Sequence, residues 1–112
     1  MQLFPQRMTP EIGVEELDDL VTRGEVRVLD VREDWEFRRG RVPGATSVPL
    51  SRLTASIADL PRDKPYAVIC EHGSRSLAAT DYLVGHGFDG AVSVRGGTSA
   101  WARSRRPIER DQ

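Results

Sequence analysis

Residues 67–76 read Ala67-Val68-Ile69-Cys70-Glu71-His72-Gly73-Ser74-Arg75-Ser76, and the way this stretch is read decides the fold. Ala67 to Cys70 form a short apolar run of the kind expected in a strand buried on both faces. From Ser76 to His86 the spacing turns helical, with Leu77, Ala78, Tyr82 and Leu83 as its apolar positions. A strand, a tight loop and a helix N-terminus therefore follow one another. Working outward, apolar runs at Val26–Val31, Ala45–Val48 and Ala91–Val94 read as further strands, with a fifth at the edge near Ile12. Helical spacing recurs at Glu15–Arg23, Leu53–Leu60 and Thr98–Arg103. Leu17, Leu20 and Trp101 on these helices are assigned to the core. Strands alternating with helices imply right-handed crossovers and a parallel sheet covered on both faces, which is the α/β class.

The 112 residues suit one domain, 1–112, because no linker, repeat or low-complexity tract divides them. Arg105, Arg106 and Arg110 make a basic end that is expected to fray. Sixteen Lys plus Arg against 17 Asp plus Glu give a net charge of −1, which argues against a dedicated nucleic-acid binder. No run approaches a membrane span, and the opening MQLFPQRMTPE lacks the apolar stretch of a signal peptide, so a cytoplasmic protein is expected. The one cysteine, Cys70, excludes an internal disulfide framework and a Cys-based zinc site. Cys70 is either inert packing or works alone.

In open parallel sheets, ligands bind in the loops beyond the carboxyl ends of the strands. Those ends collect Asp30 with Arg32, the loop after Cys70, and Arg95-Gly96-Gly97. A tight loop that leads into a helix turns successive backbone N–H groups inward and adds the positive end of the helix dipole. An anion such as a cysteine thiolate would be stabilised at its centre, which is what separates a reactive cysteine from a packed one. Gly73 supplies backbone freedom in the loop, and Ser76 is placed to cap the helix with its hydroxyl.

At this point the residues carry a resemblance. Cys70-Glu71-His72-Gly73-Ser74-Arg75-Ser76 resembles the active-site loop of rhodanese-domain sulfurtransferases. Leu29-Asp30-Val31-Arg32-Glu33 resembles that family's D-V-R-E strand end, Gly40-Arg41-Val42-Pro43-Gly44-Ala45 its G-H-I-P-G-A turn, and Gly96-Gly97-Thr98-Ser99-Ala100-Trp101 its G-G-x-x-A-W segment. The four ordered motifs cover roughly residues 12 to 108 and are jointly far more specific than any one of them. The resemblance implies a three-layer α/β/α fold with a five-stranded parallel sheet and no metal or organic cofactor. It also implies a two-step transfer in which Cys70 takes sulfur from thiosulfate or another persulfide donor. The resulting persulfide, held by the loop of residues 71 to 75, would pass its sulfur to cyanide or to an external thiol, for example on a thioredoxin-like or sulfur-carrier protein. Related phosphatases of this fold have five residues between Cys and Arg where this chain has four, so a phosphatase or arsenate-directed activity is the lesser enzymatic alternative. A non-catalytic module that binds a protein partner is the other, although the usual mark of such modules is loss of the cysteine.

Individual positions carry narrower expectations. Arg75 is read as locking the loop through an acid such as Asp30 or Glu33. Asp30 and Arg32, two apart at a strand end, are expected to leave opposite faces and to brace the loop from behind. Glu71, where some thiosulfate-using members are basic, would repel that dianion if it faced the pocket, whereas His72 could offer a hydrogen bond. Arg41 stands where the family commonly has His and, with Arg38 and Arg39, forms a basic spot. Trp35 and Phe37 could wall the entrance, with at least one of them ordinary core. His86, between Gly85 and Gly87, reads as a residue of a helix C-terminal turn.

Overall fold

A computed structural model describes residues 8–111. Five strands, β1 (Glu11–Ile12), β2 (Arg27–Asp30), β3 (Thr46–Ser47), β4 (Tyr66–Ile69) and β5 (Val92–Val94), form one sheet in the order β1-β5-β4-β2-β3. Every pairing is parallel, as the alternating pattern predicts. The helices are α1 (Val14–Thr22), α2 (Asp34–Arg39), α3 (Leu53–Ser56), α4 (Ser74–Gly85) and α5 (Gly97–Arg103). The fold is thus α/β with helices on both faces of the sheet. Among the described residues no helix is long and apolar enough to cross a membrane.

The central strand β4 is buried along its whole length, and its parity splits the core in two. Val68 and Cys70 turn to one face, where Leu29, Val31, Leu53, Ala79 and Leu83 join them from β2, α3 and α4. Ala67 and Ile69 turn to the other, with Val28, Val94, Leu17 of α1 and Trp101 of α5. Side chains two apart share a face, so the thiol at position 70 is committed to the α4 side by the same alternation that buries Val68.

Several elements differ from expectation for local reasons. The stretch 53–60 is not one helix: a 3-10 turn at Leu50–Arg52 leads into α3, and a second turn, Ile57–Asp59, ends it. On α4 the residues fully turned to the sheet are Ser76, Ala79, Thr80 and Leu83, while Ala78 is exposed and Leu77 and Tyr82 are half-buried. Small residues let α4 lie close to the sheet. Leu17 and Trp101 are core as expected, whereas Leu20 only packs against its edge. Helix α2 was not expected at all. Its signature is Glu33-x-x-Glu36, in which the Glu36 side chain accepts from the Glu33 N–H at 3.0 Å and closes the first turn.

The basic C-terminal end is docked rather than frayed. Trp101 Nε1 donates to the Pro107 carbonyl at 2.7 Å, and Arg106 reaches Asp18 of α1 at 2.9 Å. Arg41 and Glu109 exchange backbone hydrogen bonds as an isolated antiparallel bridge. The Arg41 guanidinium lies 4.4 Å from the Phe37 ring centre and pairs with Asp111 at 2.6 Å and Glu109 at 3.6 Å. Arg41 is therefore spent inside the fold and adds nothing to a basic docking spot. The opening stretch read for a signal peptide lies, for residues 1–7, outside the described residues. Arg41→Ala should destabilise the protein by about 1–2 kcal/mol in urea denaturation. It should also speed tryptic cleavage after Arg105, because the strap loses its anchor.

Candidate active site

Strand β4 ends at Ile69, and the chain then curls through Cys70, Glu71, His72 and Gly73 into α4. Gly73 makes the curl possible, since its φ of +108 lies in the left-handed region, which L side chains rarely adopt. The result is a ring of backbone N–H groups around one sulfur. Cys70 Sγ accepts from the Gly73 N–H at 3.1 Å and from the Ser76 N–H at 3.3 Å, and it lies 3.5 Å from Ser76 Oγ. The residue is only 1% exposed, so the sulfur sits inside the ring rather than on it. Ser76 does not cap α4, which begins at Ser74. Its hydroxyl instead meets the Gly73 carbonyl at 3.1 Å and Ser93 Oγ at 2.8 Å.

The loop is fixed from outside by α5. Thr98 N–H donates to the Cys70 carbonyl at 2.9 Å and Ser99 N–H to the Glu71 carbonyl at 3.0 Å, so the start of one helix caps the chain leading to another. This contact requires Gly97. A methyl group there would lie 2.6 Å from the Glu71 carbonyl oxygen, and the residue's φ of +60 is itself unfavourable for a side chain.

Two ion pairs brace the loop from the β2 side. Arg32 is buried and forks onto Asp30, with Nη2 to Oδ2 at 2.8 Å and Nε to Oδ1 at 3.0 Å. Its remaining donors reach Glu71 at 3.0 Å and the Gly40 carbonyl at 2.8 Å. Burial works against the guanidinium's charge, but the hydrogen bonds to Asp30 and then Glu71 outweigh it, and the net effect raises the Arg32 pKa above its ordinary value. The expectation that Asp30 and Arg32 leave opposite faces is overturned. Alternation puts residues two apart on one face, as Leu29 and Val31 show, so the Arg32 side chain lies over the Asp30 carboxylate. Arg75 is a lock as expected, but its partner is Glu36 on the unforeseen α2, at 2.7 and 2.9 Å, and neither Asp30 nor Glu33. The hydrogen bond from Arg75 holds the Glu36 pKa down at about 2.

Glu71 is therefore held sideways by Arg32. His72 is exposed and makes no side-chain hydrogen bond among the described residues. His86 ends α4 as expected, with its Nδ1 2.8 Å from the Tyr82 carbonyl. A groove of about 390 Å³ runs past Glu71, walled by Arg32, Trp35, Glu36, Arg39 and Thr98. Trp35 lines it at 55% exposure, while Phe37 lies half-buried under Arg41, so neither aromatic is core. A second cavity of similar size, between Arg62–Tyr66 and Gly87–Ala91, lies at the opposite end of the strands. Among the described residues no group of three or more His, Cys, Asp or Glu side chains could hold a metal ion. The sequence reading missed Ser93 and Glu36. The signals for them were a polar residue inside the Val92-Ser93-Val94 alternation and the Glu33-x-x-Glu36 spacing.

Comparison with known proteins agrees with this geometry. The family model described as Rhodanese-like domain matches residues 13–104. A protein from Allochromatium vinosum named "Sulfurtransferase" is 32% identical over 102 residues, 90% of this chain and 95% of that protein. The solved structure of a rhodanese-related protein from Thermoplasma volcanium superposes with a TM-score of 0.83 at 36% identity, covering 89% of this chain and 97% of the other. A human single-domain sulfurtransferase superposes with a TM-score of 0.78 at 26% identity, covering 86% and 97% respectively.

The Glu36–Arg75 pair gives a pH test. The Glu36 pKa is lowered on folding, so its stabilisation is fully present above about 4.5 and fades as pH falls towards about 2. Glu36→Gln keeps the oxygen that accepts from Glu33 but removes the charge. It should lower stability by about 1–2 kcal/mol at pH 7, with the difference in urea midpoint shrinking steadily below pH 4.5.

Proposed function

The chain belongs to the rhodanese-like domain family, and on that premise we propose that it is a sulfurtransferase working through a persulfide on Cys70. The observation that carries this reading is the placement of Cys70 Sγ at the focus of two inward backbone N–H groups, at 3.1 and 3.3 Å. Such donors favour a sulfur anion at the moment of attack, and they are already in place before substrate arrives.

In the first half-reaction the Cys70 thiolate attacks the outer sulfur of a donor. With thiosulfate, a bond forms between Cys70 Sγ and that sulfur, the donor's S–S bond breaks, and its electron pair leaves with sulfite. Cys70 is left as an anionic persulfide, whose outer sulfur can take the N–H groups of the 71–75 loop. In the second half an external nucleophile, a thiolate or cyanide, attacks the outer sulfur and returns the Cys70 thiolate. No proton is gained or lost overall by the protein, and neither metal nor organic cofactor is needed for either step. Four residues between Cys70 and Arg75 make a ring suited to sulfur rather than to a phosphate group.

The acceptor is an outside thiol because the chain holds no second cysteine. A thioredoxin-like or sulfur-carrier protein, or a small thiol, would serve. A protein that works through one free thiol suits the reducing cytoplasm. Asp30, Arg32, Ser76 and Arg75 act by holding the loop, and Glu71 and His72 flank its mouth.

Incubation with thiosulfate or a small persulfide should add one sulfur atom to the intact protein by mass spectrometry, and Cys70→Ser should abolish the adduct. Failure of every donor to load the wild-type protein would overturn the proposal. Glu71 puts a carboxylate beside the mouth, which works against a dianionic donor. Glu71→Gln should accordingly lower the KM for thiosulfate about three- to fivefold, on the order of one screened charge contact. The cyanide half-reaction should speed up by less, about twofold, in stopped-flow or steady-state assays, because cyanide carries a single charge.

A further inference from the structure

Ser93 is fully buried on β5, in register with Val68, so its side chain emerges on the face shared with Cys70 and α4. Among the described residues its oxygen has one hydrogen-bonding partner, Ser76 Oγ at 2.8 Å. Ser76 is likewise fully buried, and three groups lie within reach of its oxygen: Ser93 Oγ, the Gly73 carbonyl at 3.1 Å and Cys70 Sγ at 3.5 Å. These contacts fix the direction of the bond between the two serines. If Ser76 donated to Ser93, the Ser93 proton would have no acceptor, and a buried donor left unmade costs about 1–3 kcal/mol. If Ser93 donates to Ser76, every group is satisfied, and the Ser76 proton is left for the loop.

From this geometry we propose that Ser93 is a positioning residue for the Cys70 sulfur, acting through Ser76. With the thiol protonated, its S–H points at Ser76 Oγ and the Ser76 proton rests on the Gly73 carbonyl. When the sulfur loses its proton to solvent, Ser76 turns its O–H from that carbonyl to the sulfur anion and becomes a third donor beside the N–H groups of Gly73 and Ser76. Ser93 does not touch the sulfur. By donating into Ser76 Oγ it prevents the Ser76 proton from turning away towards β5, and it polarises the O–H that serves the anion. The sulfur is the same after sulfur transfer as before it, so the hydroxyl pair would be used on every turnover. The inference rests on the reading of Cys70 as a nucleophile, but it can be tested without any sulfur transfer.

The test is a double-mutant cycle on the rate of Cys70 alkylation by iodoacetamide at pH 7, with thermal stability measured in parallel. Ser93→Ala should slow alkylation about three- to tenfold, as expected for loss of a hydrogen bond's influence on the reacting anion. Ser93→Thr, which keeps the hydroxyl, should restore most of the rate. In a Ser76→Ala background, Ser93→Ala should have no further effect, because its only route to the sulfur is gone. An unchanged rate in Ser93→Ala would overturn the proposal. So would a loss that recurs at full size without the Ser76 hydroxyl, since that is the mark of a packing effect. If alkylation follows the expected cycle while no donor ever loads a persulfide, the hydroxyl pair stands and the sulfurtransferase reading falls.

Discussion

The buried guanidinium of Arg32 is the interaction on which the rest of the site depends. Its side chain is 3% exposed and Asp30 beneath it is fully buried, so neither charge can find water if its partner is removed. A buried ion pair adds little net stability over apolar packing, but breaking one side of it costs about 3–5 kcal/mol. Its value therefore lies in position. Asp30 ends β2, Gly40 ends α2, and Glu71 begins the cysteine loop. One planar group with donors at fixed angles ties all three together, which a lysine could not do from a single point.

From that tie the remaining constraints follow in order. With the Glu71 side chain held by Arg32, the Glu71 carbonyl meets the Ser99 N–H and the Cys70 carbonyl meets that of Thr98. Those two contacts bring α5 so close that only glycine fits at position 97. On the far side of the loop, Arg75 is taken by Glu36. The Cys70 and Glu71 carbonyls and both flanking charges are thus engaged from outside the loop, and the N–H groups of Gly73 and Ser76 point inward at the sulfur. The sulfur's surroundings are thus set by contacts made outside the loop, through Arg32, Glu36 and the start of α5.

The sequence shows the sheet, its parallel sense and the position of the cysteine, because those depend on strong local signals: β-branched runs, helical spacing and a Gly-bearing turn. It shows the partners of the loop much less well. Arg75 was expected on Asp30 or Glu33 and is found on Glu36, because α2 depends on a six-residue helix with little apolar periodicity, held at its start by a side chain. Asp30 and Arg32 were expected on opposite faces, although residues two apart on a strand share one, and the structure follows the alternation. The C-terminal strap was read as frayed from its three arginines, when Arg106 is paired with Asp18, 88 positions away. Pairings of that range are set by tertiary geometry, and residue type alone does not reveal them.

A single cysteine that is 1% exposed limits what can react with it. The sulfur lies inside a ring of peptide groups, so a bulky electrophile cannot reach it along most directions, whereas a donor that presents a terminal sulfur on a slender group can. Under the proposed persulfide mechanism, taking up that sulfur carries the reactive atom one S–S bond away from the enclosed position. On the proposed reading, the burial that protects the resting thiol from oxidation also makes the persulfide the more accessible of the two states. The second nucleophile can then be larger than the first donor, and with no other thiol in the chain it must come from another molecule. Under that mechanism, a narrow donor and a broad acceptor would follow from where β4 ends and α4 begins.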